Sequence, residues 1–367
     1  MKKSYFISCA IEVKEQESDP TGKEKPMNDQ RPIVGITMGD PAGIGPEIVC
    51  MALSRPEIYD VVRPLVIGDV RVLESARLIT RSPLSVSVVN APGAGAYKPG
   101  CMDVLNKSAL DPKSFTWGRP SAATGSAMIQ YITTAVDMAL NDEIAAIVTC
   151  PITKTAMKLA GSRYHGHTEM IAEQTNTPGF AMMLAGARLR VVLVTIHVAL
   201  KDVPRLLSVE NIVKTVAITD ESLKERFGID RPKIAVAGLN PHSGEEGMFG
   251  DEEIRIISPA VRLAQEKGMD ASGPYPPDTL FHHALTGLYD AVVCMYHDQG
   301  LIPFKMIHFS DGVNTTLGLP IIRTSVDHGT AYDIAGKGVA DPGSLIEAIR
   351  MAAHQAVCLM GKNDATA

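Results

Sequence analysis

The chain has 367 residues, of which 45% are hydrophobic and 21% are charged. This length suffices for two domains of ordinary size, and the composition is that of a globular protein. A formal net charge of −6 argues against a nucleic-acid surface, although a few local cations could still hold an anionic metabolite. No apolar run approaches the roughly 20 residues that a membrane-spanning helix requires.

The amino-terminal segment, residues 1–31, is predicted to be a disordered extension. Its apolar run, residues 5–11, follows Lys2 and Lys3, but the charged segment behind it lacks a small-residue cleavage site. A signal peptide is therefore not expected. The six cysteines are scattered without a CxxC pair and are interpreted as buried residues of a reducing compartment. We expect a cytoplasmic protein.

Apolar segments alternate with helical patterns along the chain, which predicts α/β architecture with mostly parallel strands. Buried strands are predicted over residues 33–38, 63–69, 84–89, 144–150, 191–196, 234–239 and 291–295. Helices are predicted over residues 121–140 and 341–360. Residues 90–120 form a polar, proline-containing stretch, and residues 273–280 are predicted to form a loop with prolines.

Two loops lead into predicted helices. The glycine-rich loop at residues 39–45 follows the first strand and precedes a helix that begins at Pro46, but its spacing is not GxGxxG. It is equally consistent with anion binding at a helix amino terminus and with a structural turn. A second helix is predicted after residues 164–169, with Thr168 as its cap.

Three of the predicted strands end in a histidine, namely His197, His242 and His297. The carboxyl ends of parallel strands converge on one crevice, and three imidazoles with an open position form a catalytic type of metal site. A histidine at a strand end is also commonly a hydrogen-bonded structural residue, and the wide separation supplies no short ligand motif. The common placement favours the metal site over this alternative.

Further polar residues follow the strand that ends before His297. Asp298 comes next in the chain, and Lys305, Asn314 and Arg323 lie farther on. An imidazole, a carboxylate and two cations at strand ends suit a small anionic substrate better than they suit a core.

Five motifs lie in order between Pro32 and about residue 360. They are MGDPAGIGPE (residues 38–47), GHTE (166–169), NPHSGE (240–245), YHDQG (296–300) and GLPIIRTSVDHGTA (318–331). Together they resemble the 4-hydroxythreonine-4-phosphate dehydrogenase family of vitamin B6 biosynthesis, including its 4-phospho-D-threonate and 4-phospho-D-erythronate branch.

The resemblance implies an NAD-dependent oxidative decarboxylase that forms a homodimer with a metal ion in each cleft. It implies that the metal ligands are His197, His242 and His297. It implies that the substrate contacts are His167, Thr168, Lys305, Asn314 and Arg323. The supporting carboxylates would be Asp278 and Asp298, and either Lys305 or Asp278 would transfer protons. Zinc fits three nitrogens best, while cobalt, manganese or magnesium would suit a site completed by substrate oxygens.

The segment DHGTAYDIAGKGVADP, residues 327–342, is similar to the loop with which isocitrate and isopropylmalate dehydrogenases hold the adenosine half of their cofactor. This distant resemblance implies cofactor contacts at His328, Gly329, Thr330, Ala331 and Asp333. An acid at Asp333 would bond the ribose and repel a 2′-phosphate, which favours NAD over NADP. A turn-stabilising aspartate is the alternative.

The expected fold is α/β and isocitrate/isopropylmalate-dehydrogenase-like, with two α/β/α domains and a cleft between them. Residues 32–155 together with 330–367 would form the first domain. Residues 156–329 would form the central domain, which would carry the metal ligands and most dimer contacts.

Three activities stay open at this point. The leading one converts 4-hydroxythreonine 4-phosphate to 3-amino-2-oxopropyl phosphate and CO2. The second acts on 4-phospho-D-threonate or 4-phospho-D-erythronate and gives dihydroxyacetone phosphate; PPDT (residues 276–279) and FGDEEIRI (249–256) look more like that branch. A non-redox phosphate acyltransferase of the same fold is the third.

Overall fold

The computed structural model describes residues 29–111, 115–164 and 166–366, which form twelve strands and eleven α-helices. The strands are β1 Ile33–Thr37, β2 Arg63–Gly68, β3 Ser85–Val89, β4 Cys101–Asn106, β5 Ala146–Thr149, β6 Ala181–Ala185, β7 Arg190–Leu193, β8 Ile234–Ala237, β9 Ala271–Tyr275, β10 Ala291–Cys294, β11 Val313–Leu317 and β12 Arg323–Val326. The helices are α1 Gly45–Leu53, α2 Val70–Ile79, α3 Ala122–Leu140, α4 Lys154–Leu159, α5 His167–Gln174, α6 Val203–Leu206, α7 Val209–Arg226, α8 Ser258–Glu266, α9 Pro277–Leu285, α10 His297–Ile307 and α11 Gly343–Thr366.

All twelve strands belong to one sheet, in the order β3-β4-β2-β1-β5-β12-β11-β6-β7-β10-β8-β9. Neighbouring strands are parallel except at three successive pairs, β12 with β11, β11 with β6, and β6 with β7. Because three reversals separate β12 from β7, the two parallel halves of the sheet run in opposite directions. The α/β class and the mostly parallel pairing predicted from the sequence are confirmed.

The seven predicted strands are all present, each with its ends within three residues of the prediction. They were recognisable because strands such as β10 are buried on both faces and are therefore continuously apolar. The predicted long helix begins at Ala122 because Ser121 caps it: the Ser121 side chain accepts from the Thr124 N–H and the Thr124 side chain accepts from the Ser121 N–H.

Three local predictions were wrong. The polar stretch at residues 90–120 contains the buried strand β4, and the predicted loop at residues 273–280 contains the end of β9 and the start of α9. Proline at the first position of a helix is compatible with helix formation, which explains the start of α9. Thr168 is not the cap of α5, because that helix already begins at His167 and its N-cap is Gly166.

Two apolar clusters form the core of the described residues. The larger one extends from Val34 on β1 to Val293 on β10, and the smaller one packs Leu280 and Phe304 against β7, β8 and β10. The closing helix α11 packs on β5, β11 and β12 and also on α7. It therefore lies across the place where the two parallel halves of the sheet meet.

The predicted extension, residues 1–31, lies outside the described residues except for its last three. Of these, Arg31 ion-pairs with Asp29 and donates to the Tyr59 carbonyl. Among the helices that the structure describes, none is long and apolar enough to cross a bilayer. The cysteines at positions 50, 101, 150, 294 and 358 are buried, and no disulfide joins these five.

Candidate active site

Two of the three predicted metal ligands face each other. His197 follows β7 and His297 is the first residue of α10, directly after β10, and their ring centroids are 5.7 Å apart. Burial is the main cause that lowers the pKa of His197, and the charges of His297 and Lys154 lower it further. A lowered pKa favours the neutral imidazole, which is the form that binds a metal ion.

His242 follows β8, the other neighbour of β10. Because β7, β10 and β8 are parallel, their carboxyl ends lie at one edge of the sheet. Residues 242–246 all have positive φ, and only one of the five is a glycine. Such a left-handed turn costs about 1–2 kcal/mol per non-glycine residue and persists only where its surroundings hold it.

The buried carboxylate of Glu253 holds the start of this turn. Its Oε1 accepts from the backbone N–H groups of Leu239 and Asn240, each at 2.7 Å, and its Oε2 accepts from Asn240 Nδ2 at 2.9 Å. Bonds to a charged acceptor are stronger than neutral ones and help to offset the backbone strain. The strained turn therefore appears where the sequence predicts a metal ligand.

The chemistry of the histidines fits a divalent metal. His297 Nδ1 lies 2.7 Å from Asp298 Oδ1, and His242 Nδ1 lies 3.0 Å from Glu245 Oε1. A carboxylate on Nδ1 orients a ring and leaves Nε2 for a metal. In residues 29–111, 115–164 and 166–366, however, no three His, Cys, Asp or Glu side chains are grouped closely enough to hold an ion. The structure thus brings His197 and His297 together, with His242 on the adjacent strand end.

An open cleft of about 610 Å³ lies beside the histidine pair. Its lining contains both apolar and polar side chains, from Ile196, His197, Val198, Leu200, Val203, Tyr296, His297 and Asp298. A mixed lining of this kind suits a small polar ligand with a few fixed contacts.

Arg323, the first residue of β12, is a buried cation without a carboxylate partner among the described residues. Its Nη1 donates to Thr316 Oγ1 at 3.1 Å and its Nη2 to Thr149 Oγ1 at 2.9 Å, while its Nε has no partner. Burial lowers the pKa of Arg323 to about 10. A buried guanidinium whose neighbours are two hydroxyls is matched to an anion that arrives from outside.

Two other predicted substrate contacts have buried polar atoms without partners near Arg323. Asn314 is paired with Ser325 across β11 and β12, and Thr316 is paired with Arg323, so Asn314 and Arg323 lie on one face of the sheet. Asn314 Oδ1 and His167 Nε2 are both buried and unbonded. Burial, and then the nearby charge of Arg323, lower the pKa of His167 well below its usual value.

His167 and Thr168 begin α5, whose N-cap Gly166 offers no side-chain hydrogen bond. The first N–H groups of a helix have no partner within the helix and favour an anion. The two buried nitrogens, His167 Nε2 and Arg323 Nε, and this helix start therefore form one candidate anion site. Its residues are His167, Thr168 and Arg323, with Asn314 on the same face of the sheet as Arg323.

Lys305 on α10 is bonded to the segment that follows β12. Its Nζ lies 2.5 Å from Asp327 Oδ2 and donates to the Asp327 carbonyl at 2.8 Å. Burial raises the pKa of Asp327, while the neighbouring Lys305, His328 and His297 act in the opposite direction. This ion pair therefore stands within electrostatic reach of the histidine pair.

The two predicted supporting carboxylates are both exposed. Asp298 keeps 70% of its side chain exposed while it contacts His297. Asp278 is in the first turn of α9, a helix that packs against the turn Pro241–Gly247. Asp298 thus contacts His297 directly, whereas Asp278 is on a helix that packs against the His242 turn.

The glycine-rich loop after β1 holds the predicted cofactor loop. Tyr332 donates to Asp40 Oδ2 at 2.6 Å, and the two carboxylate oxygens of Glu47 accept from Gly336 and Gly338 N–H at 2.6 Å each. Ile44 N–H donates to the Thr330 carbonyl at 3.1 Å. This loop is buried, so of the two readings left open by its sequence the structural one is supported.

The predicted cofactor residues alternate between exposed and anchored positions. His328, Gly329 and Asp333 are exposed, while Thr330 is buried and Ala331 has a φ of 41°. A non-glycine residue with positive φ is uncommon and indicates a backbone fixed by its surroundings. The exposed members are therefore displayed by a loop that the Asp40 and Glu47 contacts hold in place.

Several residues of the site were not singled out from the sequence. They are Thr149 and Thr316 beside Arg323, Asp327 beside Lys305, Glu253 beneath the His242 turn, and Asp40, Glu47 and Tyr332 at the cofactor loop. Asp40, Glu47 and Asp327 stand in recognised motifs, which was the available signal. Glu253 lies in the quoted segment FGDEEIRI and Thr149 at the end of a predicted strand, whereas Thr316 lies in none of the quoted motifs.

The fold is α/β and the candidate site combines a histidine pair with a buried arginine, and the similar proteins give the class of the protein. A protein of Desulforapulum autotrophicum named 4-hydroxythreonine-4-phosphate dehydrogenase is 62% identical over 330 residues, covering 90% of this chain and 97% of its own length. A D-threonate 4-phosphate dehydrogenase of Cupriavidus necator is 46% identical over 332 residues, covering 90% of this chain and 99% of its own.

A crystal structure of 4-hydroxythreonine-4-phosphate dehydrogenase from Klebsiella pneumoniae has the same fold, with a TM-score of 0.84, 41% identity and coverage of 90% of this chain and 99% of that chain. The present chain is an oxidoreductase of the dehydrogenase type. The model of the family described as pyridoxal phosphate biosynthetic protein PdxA matches residues 60–352, and the chain belongs to this family.

Proposed function

We propose that the chain catalyses the NAD- and metal-dependent oxidation and decarboxylation of 4-hydroxythreonine 4-phosphate, with 3-amino-2-oxopropyl phosphate and CO2 as products. The single observation that carries the proposal is the pair of buried donor nitrogens without partners at His167 and Arg323. A phosphate at His167, Asn314 and Arg323 would accept from two nitrogens that are otherwise buried without partners, His167 Nε2 and Arg323 Nε, and Asn314 would contact it through its amide N–H groups.

The anion site is suited to the phosphate end of the substrate. The phosphate keeps its charge throughout the reaction, so strong donors can hold it without opposing any chemical step. The carboxylate leaves as neutral CO2, and a tight clamp on it would stabilise the ground state. The buried Arg323 therefore serves the phosphate as a fixed anchor, and the reacting carbons extend toward His197 and His297.

His197, His242 and His297 are the proposed ligands of a divalent metal, with zinc preferred and cobalt, manganese or magnesium compatible. When bound, the metal would supply Lewis acidity to the substrate oxygens, and NAD would accept the hydride. His297 and His242 would present Nε2, because a carboxylate already contacts Nδ1 of each ring. Asp298 and Glu245 thereby orient the two rings.

Lys305 is the proposed proton donor of the decarboxylated product. Its ammonium is held by Asp327 within electrostatic reach of His297. Asp278, the alternative from the sequence, is exposed in the first turn of α9. A proton-transfer group must be held within hydrogen-bond reach of its substrate, and only Lys305 has a partner that orients it in this way.

NAD is proposed to bind at the loop that displays His328, Gly329, Thr330, Ala331 and Asp333. Asp333 is exposed there and can accept bonds from the adenosine ribose, while its charge disfavours the extra phosphate of NADP. The enzyme is proposed to act as a homodimer in the cytoplasm.

A second candidate substrate is 4-phospho-D-threonate or 4-phospho-D-erythronate, with dihydroxyacetone phosphate as the product. The observation that favours it is the relative named D-threonate 4-phosphate dehydrogenase, which is 46% identical over 332 residues. The segments that look like this branch start α9 and lead into α8, and both flank the His242 turn. Substrate choice would then depend on whether this part of the site accepts an amino group or a hydroxyl.

The test is to follow NADH formation with each of the three phosphorylated acids, in the presence of zinc, cobalt, manganese or magnesium. We expect a kcat/KM for 4-hydroxythreonine 4-phosphate at least tenfold above that for the two hydroxy analogues. The reverse order would assign the chain to the second candidate. Absence of NADH formation with all three acids and all four metals would overturn the proposal.

A further inference from the structure

A series of buried hydrogen bonds crosses the three strand ends that precede the histidines. Met295 N–H donates to Gln299 Oε1 at 2.7 Å, and Gln299 Nε2 donates to the Gly238 carbonyl at 2.6 Å. On the other side, the hydroxyl and the N–H of Thr195 both donate to the Met295 carbonyl, at 2.7 and 3.2 Å. Two buried side chains therefore connect the ends of β7, β10 and β8.

The connected residues stand immediately before the histidines. Thr195 and Met295 each precede a member of the histidine pair by two residues, and Gly238 precedes His242 by four. The backbone between these points is short, so a fixed spacing of the connected residues restricts the spacing of the imidazoles. The hydrogen bonds thus restrict the relative positions of all three predicted ligands, His197, His242 and His297.

Gln299 forms its hydrogen bonds just beyond the point where the pairing of β10 with β8 ends. Val293 with Val236 is the last residue pair of β10 with β8, and Met295 and Gly238 lie two residues beyond this pair on the two strands. The amide of Gln299 occupies the gap, accepting from one strand end and donating to the other. A direct backbone bond would bring the ends about 3 Å apart, whereas an intervening side chain holds them farther apart.

We propose that Gln299 is a positioning residue that sets the separation of His297 from the His242 turn so that both can bind one metal ion. The proposal rests on the metal role proposed above for the three histidines. An apolar side chain at this position would leave the Met295 N–H and the Gly238 carbonyl without partners and would release the two strand ends. Groups that orient metal ligands typically change metal affinity about 10–100-fold when they are removed.

The test measures Co²⁺ binding to the substrate-free protein by competition with a chelator, together with the visible spectrum of the bound ion. Gln299→Leu is expected to weaken Co²⁺ binding at least tenfold and to alter the spectrum. Gln299→Glu keeps an acceptor for Met295 but loses the donor to Gly238, so it is expected to weaken binding less. Unchanged affinity within twofold for a folded Gln299→Leu protein would overturn the proposal.

Two matched variants separate positioning from general stability. Gln355→Leu removes another buried amide, which donates to Thr315 Oγ1 at 3.3 Å on β11, and it should leave Co²⁺ binding unchanged. Thr195→Val removes the hydroxyl that donates to Met295 on the opposite side of β10 from Gln299. This variant should also weaken Co²⁺ binding. If Gln299→Leu fails to fold, Thr195→Val and Gln299→Glu decide the matter, and wild-type affinity in both contradicts the proposal.

The wild-type protein and His297→Ala distinguish this proposal from the metal role on which it rests. If the wild-type chain binds no Co²⁺, or if His297→Ala binds it equally well, the metal role itself is wrong. If the wild type binds through His297 and Gln299→Leu matches it, only the positioning role is wrong.

Discussion

At the residue scale, the buried atoms without partners are the most informative feature of the candidate site. Desolvation without a partner costs about 1–3 kcal/mol for a neutral polar atom and more for a charged group. Two such atoms are donor nitrogens, His167 Nε2 and Arg323 Nε, and the charge of Arg323 acts on His167, which places the two side chains near each other. Their joint cost is explained if a phosphate normally accepts from both.

Replacement of Arg323 by lysine tests this assignment. An ammonium cannot reproduce the planar fork of a guanidinium, so Arg323→Lys should weaken binding of the phosphorylated substrate at least tenfold, about 1.4 kcal/mol. The loss on the dephosphorylated acid should be much smaller, because that ligand leaves the pocket empty. The measurement compares kcat/KM for the two ligands in wild type and variant. Equal losses on both would place Arg323 away from the phosphate.

Arg226 provides a matched control for this experiment. It is also buried, but its guanidinium already donates to the carbonyls of Leu319 and Ile321. Arg226→Lys should therefore reduce stability without changing the preference for the phosphorylated ligand. A change of that preference in the control would show that the Arg323 effect arises from altered packing.

The chemistry of these residues could be predicted from the sequence, but their surroundings could not. Arg323 and His167 stand in recognised motifs and Asn314 lies between two of them, and the resemblance implied all three as substrate contacts. That Arg323 donates to hydroxyls of Thr149 and Thr316 follows from the pairing of β12 with both β5 and β11. Thr149 is 174 residues away in sequence, so local patterns carry no information about this contact.

At the element scale, the first motif and the last motif form one unit. The glycine-rich loop and the start of α1 hold the loop after β12 through Asp40 and Glu47. Glu47 is fully buried and has two backbone N–H groups as partners. The motif that resembled a nucleotide-binding loop therefore acts on the proposed cofactor site indirectly, by supporting a second loop.

Glu47→Gln tests this support. Hydrogen bonds to a charged group are worth about 1.5–3 kcal/mol. The variant weakens one bond to the loop and loses the other, because the amide nitrogen of glutamine cannot accept from an N–H. We expect faster hydrogen exchange at Gly336 and Gly338 and a roughly tenfold weaker affinity for NAD. The exposed Glu57 offers a control, since Glu57→Gln should change neither quantity. Wild-type exchange at the two glycines in Glu47→Gln would contradict the anchoring role.

Elements differed in how well the sequence predicted them, for a physical reason. Strands buried on both faces, such as β2 and β10, are continuous apolar runs and were predicted. By contrast, β11 and β12 read VNTTL and RTSV, in which the Thr315 hydroxyl donates to the Arg323 carbonyl within the sheet and the Thr324 hydroxyl donates to the Ala348 carbonyl on α11. Polar strands of this kind lack the apolar pattern, and they are the strands that carry Asn314 and Arg323.

At the scale of the whole molecule, the division into two domains stays a proposal: residues 32–155 with 330–367, and residues 156–329. The sheet itself is continuous across the boundary, because β12 pairs with β5 in parallel. The larger apolar cluster also includes residues of both parts, and α11 packs on both. These contacts indicate that the two parts stabilise each other.

We therefore expect urea to unfold the chain in a single transition. The only tryptophan, Trp117, lies beside Gly336 in the proposed first domain, and its fluorescence should report on that domain, whereas far-UV circular dichroism reports on the helices of both. Coincident midpoints for the two signals are expected, because loss of either part exposes the shared core of the other. The measurement should be repeated at several protein concentrations, since dissociation of a homodimer would shift the midpoint. A fluorescence transition at lower urea than the dichroism transition would show instead that the first domain unfolds independently.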